Sequence, residues 1–560
     1  MIYHIRDYIT DPRCASAAVR EAFCDLSDGD TLSLDGMRLE FYPDDCHVRS
    51  YHISNNDAGE KPIAFPLICH RNVTIDGEGA DLVFHGRILP FCVDRSEHIT
   101  IKNLSIDYAS AHYSQAEIVA SDEHSVTLRY DGKEFCCRVK DGNFGYYSKI
   151  DGWEHTVSSG LTLEFEKQPD GSFIPSPHKP PYFPYTGEPC DHGFLRGMYR
   201  DVTLTEEGEN LIKMTGNFGF VHTPGNMLIT THASREFPGI FITESLDTTL
   251  SDITLYYTTS MGVIGQLSDT ITLCRVKTAI REGSARVLTV NADAPHFVNC
   301  RGKLTLDGCR FTNMMDDACN IHGIYGIVNG IDGRTLKIGF GHFQQRGIRF
   351  FREGDTCALI EQAHAKVIAQ LTVTACSLTS PDEMLLTLDG DIPTGDGTLL
   401  VENLTSQPEV HAVDCESGFN RPRGFLLSSA GKITIERCRF YNMNCGLQIG
   451  GEMKDWYESG AVTDVTVRNC DFTNSAYAGG AAIHAAPKLA GMPDKAFHGK
   501  IVIENNKFVQ HEPRILYANL VDTLIYRNNS FTADASLPAH SPMGDAGFAI
   551  ANCTNTEIEV

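Results

Sequence analysis

The chain is expected to fold as an all-β protein: a right-handed parallel β-helix with inserted small antiparallel β domains and an N-terminal capping helix. Three observations predict this: a short strand-and-corner pattern that recurs, variable spacing between its copies, and two long stretches where it lapses. The pattern is a polar residue, an alternating β-branched run, an Asn, Asp, Gly or Arg corner, and then an apolar residue. It occurs at His98–Ile106, Lys303–Phe311 (KLTLDGCRF) and Lys432–Phe440 (KITIERCRF). It returns at Asp464–Phe472 (DVTVRNCDF), Lys500–Phe508 (KIVIENNKF) and Thr523–Phe531 (TLIYRNNSF).

Alternation over three to five residues marks a short strand with one buried face. The corner residues tolerate the left-handed backbone that a coil needs to change direction. From Phe440 the closing phenylalanines step by 32, 36 and 23 residues, as coils with loops of unequal length would. Stacked coils bury each apolar face against the next. Leucine-rich repeats fit less well, because their fixed leucine spacing is absent.

The remaining elements follow in order. Ala15–Leu26 reads as a helix that would protect the edge of the first coil. Residues 1–111 are assigned to this cap and the first coils. Residues 112–220 read as an inserted β domain, with strand-like runs at Ser125–Tyr130 and Leu161–Phe165 and a Pro-rich segment from Pro175 to Pro189. Coils resume over 221–323. Residues 324–410 form a second inserted β domain, with strand-like runs at Thr335–Gly339, Lys366–Thr374 and Met384–Leu388. Residues 411–560 are the C-terminal coils.

Composition narrows the function. Across 560 residues, 72 acidic side chains against 47 basic ones give a net charge of −25. That disfavours nucleic acid and anionic membranes, which need a basic surface, and is compatible with a neutral ligand such as sugar. No apolar run approaches the ~18–20 residues of a membrane helix. No charged n-region followed by an apolar segment begins the sequence, so a cytoplasmic location is expected. The 19 cysteines are odd in number and scattered, with Cys274, Cys309, Cys438 and Cys470 in strand contexts. They read as reduced core residues. No CxxC pair occurs, so no metal site is assigned to them.

The densest polar cluster in the coils is Asn291–Phe297 (NADAPHF), followed by Met315–Gly323 (MDDACNIHG). Asp316 follows Asp293 by 23 residues, about one coil. Stacked strands lie about 4.8 Å apart, so residues one coil apart stand side by side. Three close aspartates suit glycoside hydrolysis, which needs one protonated carboxyl for the leaving oxygen and one ionised carboxyl for water or carbon. Crowding like charges raises at least one pKa. Adjacent strand residues face opposite ways, so Asp316 and Asp317 must sit at a bend to act together. On spacing alone two further readings stand beside this one. An Asp-Asp pair is more often a hydrogen-bonded corner, and an acidic triplet can bind calcium. His296 and His322 speak against a calcium cage.

The run from Asn291 to Gly323 resembles the core signature of glycoside hydrolase family 110, the α-1,3-galactosidases that include enzymes acting on the blood-group B determinant. YHISNND (Tyr51–Asp57), NVTIDGEGADLVFHGRILPF (Asn72–Phe91) and PGIFITES (Pro238–Ser245) are similar to the same family. RPRG (Arg421–Gly424), WYESGAVTDVTVRN (Trp456–Asn469) and ILYAN (Ile515–Asn519) continue the resemblance in order. It implies an exo-acting, inverting α-galactosidase without cofactor or metal. Asp316 would be the general acid, while Asp293 and Asp317 would hold and deprotonate the attacking water. The implied partner is a terminal α-galactosyl glycan, and a homodimer is the assembly entertained.

A galactose ring needs an aromatic platform and partners for its hydroxyls. Trp456 and Glu458 fit that need, and Arg421, Arg423, Asn320, His322 and His296 are further candidates for substrate contact. A polygalacturonase-like hydrolase is the nearest rival. It shares the Asn-x-Asp and Asp-Asp elements, but its separate Gly-His-Gly and Arg-Ile-Lys elements have no counterpart here. A non-catalytic carbohydrate-binding β-helix and a calcium-dependent pectate lyase are more distant rivals.

Overall fold

The structure is a computed structural model that describes residues 1–157, 161–179, 202–231, 235–539, 543–544 and 546–559. Two parallel ladders run the length of the coils. In the first, Ile271, Leu304, Val410, Ile433, Val465 and Ile501 occupy one register column, all buried. The corner in each of the six copies of the sequence pattern has a positive φ, at Asn103, Gly308, Arg437, Asn469, Asn505 and Asn528. Left-handed backbone at every copy is what the corner composition predicts.

One residue past the corner, Cys309, Cys438 and Cys470 point into the core and are buried. The eighteen described cysteines are all free. Cys274 departs from expectation: it occupies an outward position of Asp269–Cys274 and is only half-buried. Phe440, Phe472 and Phe508 stack with ring centroids 4.9 Å apart. Phe531 continues their column but is exposed, because its strand Ser530–Ala533 pairs on one side only.

The expected N-terminal helix is present as Ser16–Asp25. Its Ala18, Val19 and Ala22 join the core that contains Leu39, Phe41 and Phe65, which closes this end of the coils. The first insertion builds an antiparallel seven-stranded sheet from Tyr113–Ser121 onward, with a separate three-stranded sheet over Cys136–Val157. The larger sheet runs to Met227–Thr231, past residue 220, because that strand pairs with both Thr162–Lys167 and Tyr113–Ser121. Of the Pro-rich segment, residues 180–189 lie outside the described residues.

The second insertion grows out of the coils without a break. Cys319–Asp332 begins as a coil strand, parallel to Pro295–Val298, and ends as an antiparallel partner of Thr335–Phe340 and Leu399–Asn403. This unit has its own core, built on Leu336, Ile338, Phe350, Phe351 and Leu386. The first insertion instead shares the coil core through Tyr113, Ile118 and Phe165. Among the described residues no helix is long and apolar enough to cross a membrane.

Candidate active site

The site forms where three successive coils turn into the second ladder. Gly262 N–H donates to Asp293 O at 2.9 Å, Ala294 N–H to Asp317 O at 3.0 Å, and Ala318 N–H to Arg423 O at 3.2 Å. Asp293, Asp317 and Arg423 are thus stacked at one corner. Gly262 permits the close approach, since a Cβ there would lie 2.7 Å from Ala294 O. Asp316 and Asp317 sit in a bend between strands, as joint action requires. One carboxylate oxygen from each aspartate falls within 4.8 Å of those of the other two.

The three carboxyls have different surroundings. Asp293 is buried; its Oδ2 lies 2.5 Å from His296 Nδ1, and its Oδ1 accepts from Asp317 N–H at 3.2 Å. Burial and then the charge of Asp316 push the Asp293 carboxyl up to about 8, against the opposing pull of Arg235 and Arg423. Asp317 is also buried and accepts from Arg423 Nε at 2.7 Å. Burial holds its carboxyl well above the usual range despite that guanidinium. Asp316 is the most open of the three, with its side chain 20% exposed, and its Oδ2 accepts from Arg235 Nη2 at 2.7 Å.

Behind Asp293, His296 Nε2 lies 2.9 Å from His322 Nε2, and His322 Nδ1 lies 2.6 Å from Gly323 O. Both rings are buried, and burial drives His296 well below 6.5. Their nitrogens are occupied within the protein, so they stand behind the aspartates rather than open to a sugar. Glu458 is held by Asn55 Nδ2 at 3.0 Å and has Oε1 3.4 Å from His322 Nε2. Burial opposes its charge, but His322, His296 and Arg423 hold its carboxyl below the usual range.

Trp456 is half-buried near the aspartates, to which it is linked through Arg235. Its ring lies 4.1 Å from that of His342, with the Arg235 guanidinium 6.0 Å away, and Gln345 Nε2 donates to its carbonyl at 2.8 Å. Asn320 and Arg421 complete the set. Asn320 shares a register column with His296, and its buried Oδ1 has no partner; Arg421 Nε is likewise buried and unpartnered. Both atoms are closed to solvent as the side chains stand, so neither is open to a ligand.

Sequence reasoning missed Arg235, His342 and Asn420. Arg235 lies 81 residues from Asp316 where the first insertion rejoins the coils, with no motif around it. Asn420 donates to the carbonyls of Asp316 and Arg423 at 2.8 and 2.6 Å, bracing the corner. Its place next to the RPRG run was the available signal. Asn55 lies within the Tyr51–Asp57 motif, but nothing in that motif shows which side chain it holds.

Three close carboxylates would suit a divalent cation by spacing alone. Their partners point elsewhere: guanidinium groups occupy Asp316 and Asp317, an imidazole occupies Asp293, and the buried pair is driven toward the protonated form. That donor set suits carboxyl acid–base chemistry better than a cation cage.

A parallel β-helix that brings together three carboxyls of unequal burial, with a half-buried tryptophan nearby, has the features of a carbohydrate-active hydrolase. Comparison with known proteins narrows the class. Residues 335–397, within the second insertion, match the family model described as GLAA-B beta-barrel domain II. Alpha-1,3-galactosidase A of Shewanella woodyi is 31% identical over 92% of this chain and 83% of its own length. Alpha-1,3-galactosidase B of Phocaeicola vulgatus is 30% identical over 95% and 89%. The chain belongs to this alpha-1,3-galactosidase family of glycoside hydrolases. Among solved structures, a Thermotoga maritima exopolygalacturonase aligns over 91% of this chain and 87% of its own, at 8% identity and a TM-score of 0.37.

Proposed function

We propose that the protein is an exo-acting α-galactosidase that removes terminal α-1,3-linked galactose from glycans with inversion, Asp316 serving as acid and Asp293 with Asp317 as base. The observation that carries this reading is the unequal burial of the three aspartates in a chain of this family. Asp316 keeps its side chain partly exposed, where a leaving oxygen could reach it, while Asp293 and Asp317 form a buried floor on which one water could be held.

Closest oxygens within 4.8 Å do not by themselves favour inversion, for which carboxyl groups usually stand ~6.5–9.5 Å apart. Support comes instead from the floor carboxyls. Asp293 Oδ2 is engaged by His296 and Asp317 Oδ1 by Arg423, which fixes both carboxyls in place and leaves the other oxygen of each toward a shared water. The test is hydrolysis of α-1,3-, α-1,4- and α-1,6-galactosides followed by proton NMR of the first-formed sugar. Expected is β-galactose, fastest from the α-1,3 linkage. Release of α-galactose first would overturn inversion, and no release from any substrate would overturn the activity. The same assay on the blood-group B determinant tests the natural glycan.

A further inference from the structure

A single backbone atom fixes the proton order behind Asp293. Gly323 O can only accept, so His322 Nδ1 carries a proton. The two Nε2 atoms 2.9 Å apart share one proton, and Asp293 Oδ2 with His296 Nδ1, 2.5 Å apart, share another. Three arrangements satisfy every contact with the same number of protons; one of them, an Asp293 carboxylate against a His296 imidazolium, is disfavoured by the burial of both groups, and two remain. In the first, Asp293 is protonated and both rings are neutral. In the second, Asp293 is a carboxylate and His322 an imidazolium facing Glu458 Oε1 at 3.4 Å. The first is the resting form, because burial disfavours charge on Asp293 and His296 alike.

We propose that His296 and His322 form a proton relay that lets Asp293 act as a base while remaining neutral, with Glu458 as the counter-ion of the His322 imidazolium. The proposal rests on the reading of Asp293 as the group that activates water. As the water oxygen bonds to the anomeric carbon and the bond to the leaving oxygen breaks, Asp316 gives its proton to that oxygen. A water proton passes to Asp293 Oδ1, the Oδ2 proton to His296 Nδ1, and the His296 Nε2 proton to His322 Nε2. Asp316 ends as a carboxylate against Arg235, and His322 as an imidazolium against Glu458. Loss of the Oδ1 proton to solvent returns the two relayed protons, and Asp316 is reprotonated by solvent. The titratable and charged groups facing Asp293 are Asp316, Asp317, Glu458, Arg235 and Arg423. His296 and His322 act through Asp293 and not on the sugar, so they are positioning residues.

The wild-type enzyme supplies the first test: kcat for an aryl α-galactoside with a good leaving group, measured across H₂O/D₂O mixtures. Such a substrate needs little acid assistance, so base-side protons dominate. A curved dependence, reporting several protons in flight, is expected; a strictly linear one overturns the relay. The second test is His322→Gln. Its kcat should fall on the order of 10²-fold, with KM within about threefold. Azide should restore turnover with β-galactosyl azide as product, since an anion needs no proton removed. A kcat near wild type overturns the relay, as does a loss that azide leaves unchanged in a variant of normal Tm. If His322→Gln does not fold, the wild-type isotope dependence decides alone. Absence of wild-type turnover removes the proposed function and the relay together; wild-type turnover with either overturning result removes the relay only.

Discussion

The same coil spacing produces carboxylate contacts at two edges of this molecule, with opposite consequences. Along the corners of the first ladder, Asp252 meets Arg275, Asp414 meets Arg437 and Glu504 meets Arg527, each 23 residues on and within 3.0 Å. At the mouth of the second ladder the same 23-residue step brings Asp316 beside Asp293. In the first set the partners are arginine and the guanidinium groups are solvated; in the most open pair Asp414 is 52% and Arg437 49% exposed. In the second, acid stacks on acid and two of the three carboxyls are buried. Coil geometry supplies proximity at both places. Burial and the sign of the neighbour decide whether proximity makes a surface ion pair or a reactive group.

The largest expected difference between the two edges is in turnover. Asp293→Asn, Asp316→Asn and Asp317→Asn should each lower kcat on the order of 10²–10⁴-fold, measured on an α-1,3-galactoside. Asp252→Asn and Asp414→Asn should leave it unchanged. Near-normal turnover in any one of the first three removes that residue from the site.

Next is the arginine side. Arg423→Gln leaves Asp317 buried without its guanidinium partner, which should cost about 1–3 kcal/mol of stability in denaturant melts. Activity should fall as well, because Arg423 anchors one of the floor carboxyls. A variant as stable as wild type would show that Asp317 is already neutral enough to need no partner.

The pH dependence of stability separates the edges further. A carboxyl whose folded pKa is raised binds a proton in the native state that the unfolded chain has lost. Its contribution is therefore fully present below the unfolded value near 4 and disappears as pH rises through about 8 for Asp293. Between these limits wild-type stability should decline relative to Asp293→Asn, by at most about 1.4 kcal/mol per pH unit. Asp317 adds to the same trend. Parallel curves for wild type and Asp293→Asn would contradict the raised pKa. Smaller still, Trp456→Ala should raise KM roughly 3–10-fold, the scale of one aromatic contact, with a lesser change in kcat.

How much of this was legible in the sequence follows from the kind of contact involved. The coils were readable because each strand carries its own alternation and corner, and Asn469, Asn505 and Asn528 adopt the expected left-handed backbone. The aspartates were readable because a stacked neighbour is one coil away in sequence. Arg235 was not, since its partner is 81 residues distant and an inserted sheet lies just before it. His342 and Trp456 meet across the second insertion, 114 positions apart, through packing that no local pattern encodes. The His296–His322 contact lay within reach of the coil spacing, but its meaning depended on Gly323 O, a backbone acceptor that a sequence does not display.

The smallest expected effect is the one that most directly tests why the two edges differ. Arg437→Gln removes a guanidinium that donates to Asp414 at 2.8 and 3.0 Å, geometry as good as that of Arg423 on Asp317. If short distance were what stabilises such a pair, the two variants would cost alike. Water already solvates both partners at the Arg437 rung, so the attraction is weak and the freed side chains regain rotamer entropy. Stability in denaturant melts should be close to that of wild type, kcat should be unchanged, and any small difference should shrink further in 1 M salt as exposed charges are screened. A loss as large as that of Arg423→Gln, independent of salt, would mean that the corner arginines brace the coils, so that burial is not what distinguishes the two edges.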